Sequence, residues 1–326
     1  MDAEETINST VYRVPDYPGR HLIVVHSGIY LSLEEIACLV LSNPRIFPDI
    51  GVARPSIDRS FFNNFALGRA WEEFGGLKEY KATRGFAVGL DRRRYNLVSL
   101  LVTSMLLYLV LHEYSHGLAG HISVVGQKLS EIENNQLDES KAYQRAAELH
   151  ADRNALEVLI RSNFRKRIAR QYQNFTTETI EEVAILSIFL VTSLWPWLGV
   201  RYRNGLNCSE AIVFDSDHPP GKVRSGEAFY ALEDIRNFAN GGKKSELIMH
   251  IKDASIAREM ISPDRFDKAR MYGIFASQSF PEHFQFSSFD RSSMSAVNQY
   301  KSDNIAPIMH AFTADGEQAK YQRRND

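Results

Sequence analysis

Apolar residues are distributed unevenly along the 326-residue chain, and the densest run, residues 96–111 (NLVSLLVTSMLLYLVL), ends directly in His112-Glu113-Tyr114-Ser115-His116. Sixteen residues without a charge predict a helix buried on all sides, with Asn96 as its N-cap. A second uncharged run, residues 183–200, follows Thr179-Ile180-Glu181-Glu182, which reads as a capping box, and contains Pro196, which is expected to kink or end the helix. Between them, residues 140–162 are strongly helical in pattern. Upstream, residues 20–25 and Ile29-Tyr30-Leu31 flank Ser27-Gly28 and predict a hairpin, after which Ser32-Leu33-Glu34-Glu35 caps a helix that stops at Asn43-Pro44. Residues 85–90 read as a further strand. Downstream, helices are expected over residues 223–240, ended by Gly241-Gly242, and 245–261, ended by Pro263. From Ser277 onward Ser, Asp and Asn are frequent, and Phe280, Phe284, Phe286 and Phe289 predict a segment docked on the body. If that segment covers a cleft, truncation near Ser277 raises activity. The pattern as a whole predicts an α+β fold, mainly helical, with a small N-terminal sheet in residues 1–90, a core in 91–240 and a helical and irregular extension in 241–326.

The polar residues that interrupt the apolar runs carry the chemistry. Residues four apart share a helix face, so His112 and His116 can present two imidazoles to one metal ion, with Glu113 directed at the remaining coordination position as a general base. Burying such groups without partners costs on the order of 2 to 7 kcal/mol for a neutral polar group and more for a charge. A metal ion supplies the missing partner. In the helical segment that follows, Glu148 and Asp152 are again four apart. They can give a third ligand, Glu148, and a carboxylate, Asp152, that accepts the outward N–H of a ligating imidazole and fixes its tautomer. Two histidines, a carboxylate and a water make the composition of a catalytic zinc site. Ala147 and Ala151 allow the two helices to approach closely. His121 and His150, which fall outside this spacing, read as packing or surface residues.

Asp217-His218-Pro219-Pro220-Gly221-Lys222-Val223-Arg224 reads as a stiff loop leading into a helix. A histidine held there costs little entropy to position, so His218 can donate to the oxyanion of a tetrahedral intermediate, and Arg224 can anchor the loop or reinforce that charge.

In this order, His-Glu-x-x-His, Glu-x-x-Ala-Asp and His-Pro-x-x-x-x-Arg resemble the gluzincin metallopeptidases. The pattern is most similar to the phage-exclusion peptidases of the Lit type, and more distantly to HtpX-like and CAAX-prenyl-type peptidases. The resemblance covers roughly residues 95 to 230. It implies a zincin-like core, Zn2+ held by His112, His116 and Glu148, and Glu113 as base. Asp152 then supports a ligand, His218 is the transition-state donor and Arg224 its neighbour. It also implies a selective protein substrate, by analogy one of the translation machinery. In such peptidases a small sheet beside the active helix offers an edge to an extended substrate, and the N-terminal sheet is expected to do so here.

Composition narrows the setting. A net charge of -2 exerts no general pull on nucleic acid, and none is expected as a partner. Two cysteines, Cys38 and Cys208, form no framework or metal-spaced pair, and the acidic N-terminus lacks the apolar core of a secretory signal, so a cytoplasmic location is expected. The run at 183–200 leaves membrane association as the alternative, against which stands a mean hydropathy of -0.29. The basic clusters Arg92-Arg93-Arg94 and 161–170 read as solvated faces, with an acidic partner as the alternative. Other functions compatible with the motifs are a repressor-cleaving peptidase of the ImmA type, an integral membrane peptidase, and a non-catalytic zinc-binding interaction protein. The last of these leaves Glu113 without a role. Oligomeric state is not indicated.

Overall fold

The computed structural model describes residues 9–14, 20–25, 27–53, 91–119, 121, 137–204, 219, 221–244 and 251–278. Among these, two strands, β1 (Ser9–Arg13) and β2 (His21–Val25), precede eight helices. The helices are α1 (Ser27–Leu41), α2 (Arg92–Leu118), α3 (Leu137–Ile160), α4 (Ser162–Gln171), α5 (Thr177–Asn204), α6 (Gly221–Ala239), α7 (Ala254–Met260) and α8 (Pro263–Ser277). The protein is thus mainly helical with a small antiparallel sheet. The strand at 85–90, His218, Cys208 and the aromatic segment beyond Ser277 lie outside the described residues.

The hairpin forms from other residues than the pattern predicts. β2 pairs with β1, in a register that sets Ser9 opposite Val25 and Arg13 opposite His21. Ile29-Tyr30-Leu31 instead lies within α1, because Ile29, Leu33, Ile36, Ala37 and Val40 recur at helical spacing and bury one face. Ser32 and Glu35, expected as a cap, are therefore buried in mid-helix.

α2, about 40 Å long, is the central element and packs on α1, α3, α5 and both strands. It begins five residues earlier than expected. Asp91, in extended conformation, accepts a hydrogen bond from the Arg94 backbone N–H at 2.9 Å and is the N-cap in place of Asn96. Arg94 is not on a solvated face: it is buried, and its Nη1 donates to the Ile46 carbonyl at 2.7 Å. Arg165 of the second basic cluster is likewise buried, paired with Glu181 at 2.5 Å. Among the described residues α2 is the one helix long and apolar enough to cross a membrane.

α5 starts at Thr177, with the Thr176 hydroxyl accepting from the Thr179 N–H at 3.2 Å. Glu181 and Glu182 are thereby freed from the expected capping box. Glu181 accepts from the Ser262 N–H and pairs with Arg165, whereas Glu182 pairs with Arg265 and Lys268 of α8. The helix nonetheless continues through Pro196 to Asn204. From Ile180 to Leu194 α5 is buried almost without interruption, against α2, α4, α6 and α8. The predicted 245–261 helix is shorter, Ala254–Met260, because the Asp253 carboxylate caps it by accepting from Ser255 and Ile256 N–H.

The buried apolar side chains of α1, α2, α3, α5, α6, α7 and α8 form one continuous cluster. α6 enters it at Gly221, where a Cβ would collide with the Ser193 carbonyl of α5. That close approach fixes the first turn of α6, which carries Arg224, against the core.

Candidate metal centre

The C-terminal end of α2, the middle of α3 and the start of α6 meet on one side of this core. α2 and α3 are joined by the two-helix contact that the alanines of α3 permit: Ala147 and Ala151 are buried. α3 and α6 are tied by two ion pairs of opposite polarity, Asp152 with Arg224 and Arg153 with Glu227. These contacts set Glu148 and Asp152 opposite the last two turns of α2.

Donor atoms of three side chains converge there. His112 Nε2 lies 3.1 Å from His116 Nε2 and 3.2 Å from a Glu148 carboxylate oxygen, and the other Glu148 oxygen is 3.3 Å from His116 Nε2. Among the described residues these are the side chains grouped closely enough to hold a metal ion. Four ligands at zinc bond lengths of about 2.0 to 2.1 Å in tetrahedral array are separated by about 3.3 Å. The separation of the two Nε2 atoms is close to such an edge, and Glu148 reaches each imidazole through a different oxygen, with one donor atom from each of the three side chains within 4.8 Å of the others.

The outer ring nitrogens are engaged elsewhere. His112 Nδ1 lies 2.9 Å from Asp152 Oδ1, an oxygen that also accepts from the Tyr108 hydroxyl at 2.9 Å. Arg224 clamps the same carboxylate, Nε to Oδ2 and Nη2 to Oδ1, each at 2.6 Å. With Asp152 ionised, a neutral His112 places its proton on Nδ1, which leaves a lone pair on Nε2 facing His116 and Glu148. Facing lone pairs and a carboxylate repel one another unless a cation sits among them. His112, His116 and Glu148 therefore fit a divalent metal.

The electrostatics agree. Burial opposes charge on His112, yet Glu148 and Asp152 push its pKa up to about 10. Burial also opposes ionisation of Asp152, but Arg224 and His112 overcome it and bring its pKa down to about 2. Burial alone would favour a neutral Arg224, and Asp152 reverses that preference. Tyr108, raised by burial and by Asp152, stays a phenol and a donor. This is a region of negative potential that holds a positive charge, whether a proton or a metal ion.

Each residue singled out by spacing has a position except His218. Glu113 is buried, in contrast to the neighbouring Tyr114, which is half exposed. Arg224 is fully buried and touches Asp152, with Glu148 3.7 Å from its Nη1. Three residues of the site do not stand out by spacing. Tyr108 could have been found, since it lies one turn before His112 on the same face. His121 is buried and its Nδ1 is 3.0 Å from His116 Nδ1, while its Nε2 is 2.9 Å from His150 Nδ1. Burial, His116 and His150 bring the His121 pKa down to about 2, so it is neutral. Their sequence offered no signal beyond residue type.

Comparison with protein-family models, curated proteins and solved structures gives no match for this chain.

Proposed function

We propose that this protein is a zinc-dependent endopeptidase, with a zincin-like core, that hydrolyses peptide bonds of a selective protein substrate. The observation that carries this reading is the convergence of donor atoms from His112, His116 and Glu148 within 4.8 Å of one another, beside a buried glutamate on the same helical turn. When bound, the ion supplies Lewis acidity, which polarises a carbonyl and lowers the pKa of water to about 7. The remaining work falls to the chain. Glu113 takes the proton of the attacking water and returns it to the leaving amine. Asp152 keeps His112 in the tautomer that directs Nε2 inward, and Arg224 and Tyr108 hold Asp152 in place. His218, three residues before the start of α6 in the sequence, is assigned by resemblance to donate to the oxyanion.

The hairpin supports a substrate-aligning role, because it packs on the histidine end of α2: a Cβ at Gly117 would meet the His21 ring at 3.0 Å. By analogy with peptidases of the Lit type, the substrate is a component of the translation machinery and the location cytoplasmic. A non-catalytic zinc protein has no need of Glu113, and Glu113 is what separates the two functions experimentally. New protein N-termini are compared across a proteome after expression of the chain and of Glu113→Gln. A few cleavages seen with the active form alone support the endopeptidase and name its substrate. None, with both proteins folded and zinc-loaded, favours the binding protein.

A further inference from the structure

His121 and His150 have no part in the peptidase mechanism above, yet they form a continuous path with the ligand His116. His116 Nδ1, His121 Nδ1, His121 Nε2 and His150 Nδ1 follow one another with contacts of 3.0 and 2.9 Å. We propose that His121 and His150 are positioning residues for the metal ligand His116: a chain of imidazoles that holds its ring in the one tautomer able to present Nε2 to a cation.

The assignment rests on the metal-centre reading and follows from proton bookkeeping. A ligand nitrogen must offer a lone pair, so His116 bound through Nε2 carries its proton on Nδ1. The group 3.0 Å from that nitrogen must then accept, so His121 has a bare Nδ1 and its proton on Nε2. The next contact, at 2.9 Å, requires His150 Nδ1 to accept in turn, which sends the His150 proton to its Nε2. No other distribution satisfies both contacts and leaves His116 able to bind metal. The reverse orientation, with His121 donating through Nδ1, would put the His116 proton on Nε2 and close the site.

The geometry also excludes His121 as a ligand of the same ion. It meets the Nδ1 side of the His116 ring, whereas His112 and Glu148 meet the Nε2 side. The two ligating histidines are thus oriented by different means. Asp152, an anion, supports His112, while His121, a neutral imidazole, orients His116 without adding negative charge next to the cation. The ring pairs are close to perpendicular, at 75° and 63°, so each contact runs from ring edge to ring edge and not through stacked faces.

Zinc affinity of the full chain, measured by competition with a chromogenic chelator, is the test. His121→Phe keeps the bulk but removes the acceptor, and zinc should bind about 10- to 100-fold more weakly. His121→Asn offers an amide oxygen near the place of Nδ1 and should restore affinity to within about threefold. His150→Phe, one bond further away, should weaken binding less than His121→Phe. In the zinc-loaded protein, long-range proton–nitrogen correlation spectra should place the ring proton of His116 on Nδ1 and those of His121 and His150 on Nε2. Unchanged zinc affinity in a folded His121→Phe protein overturns the proposal, as does a His121 proton on Nδ1, which the spectra of the unaltered chain report even if the variant does not fold. Zinc binding with the stated tautomers but no proteolysis would overturn the peptidase and leave the positioning chain standing. An unaltered protein that takes up no zinc overturns both.

Discussion

The guanidinium of Arg224 meets the carboxylate of Asp152 through two parallel hydrogen bonds of 2.6 Å, and both side chains are almost completely buried. The pair joins the start of α6 to the middle of α3, and through Asp152 Oδ1 it reaches His112. A buried ion pair of this kind is costly to break from one side, because the partner is left charged in a medium that solvates it poorly. Arg224→Met should lower folding stability by about 3 to 5 kcal/mol. Arg224→Lys, which keeps the charge but loses the two-pronged geometry, should fall between the two. Urea unfolding of the metal-free proteins checks the order.

Removing a ligand and removing the base should have different consequences. His112→Ala, His116→Ala and Glu148→Ala each take away one of three donors and should leave less than stoichiometric zinc after dialysis. Glu113→Gln leaves all three donors in place and should retain one zinc per chain while losing turnover. Elemental analysis beside an activity assay separates the two classes, and zinc lost from Glu113→Gln would contradict the assignment of roles.

Gly221 tests how the first turn of α6 is seated. Alanine has nowhere to put its Cβ except against the Ser193 backbone, and a backbone cannot swing aside as a side chain can. Gly221→Ala should cost about 1 to 3 kcal/mol, and zinc affinity should fall with it because the displaced turn carries Arg224. A thermal melt and a chelator titration of the same sample measure both effects.

Glu157, one turn beyond Arg153 on α3, should give the fold a pH dependence of its own. Burial raises its pKa from the usual carboxylate range to about 8, against the opposing pull of Arg161 and Arg153. The folded state therefore binds more protons here than the unfolded chain does between about pH 4.5 and pH 8, and stability should decline as pH rises through that window. Glu157→Gln removes the titration. Its stability relative to the unaltered protein should rise by on the order of 4 kcal/mol from pH 5 to pH 8.5, measured by urea unfolding without metal.

The part of the site carried by helical spacing was legible in the sequence. His112 and His116 on α2, and Glu148 and Asp152 on α3, are each four residues apart, and a regular helix puts such pairs on one face whatever surrounds it. Helix existence was legible as well, from the uncharged apolar runs of α2 and α5, the pattern of α3, and the glycine pair that ends α6. What depends on long-range partners was not. β2 pairs with Ser9–Arg13, a five-residue stretch without a strong alternating signal, so the hairpin was placed on the wrong side of His21. Asn96 lost the cap to Asp91 because cap choice is decided by a residue or two at an end where both candidates are good acceptors. His121 and His150 are 29 residues apart, and nothing in their local pattern distinguishes a histidine aimed at another ring from one aimed at solvent.

The account rests on one zinc ion held by His112, His116 and Glu148. Anomalous diffraction at the zinc edge from crystals grown with stoichiometric zinc addresses it directly. A single strong peak is predicted within about 2.0 to 2.2 Å of the Nε2 atoms of His112 and His116 and of a Glu148 oxygen. A peak elsewhere, or none at these three side chains, would contradict it.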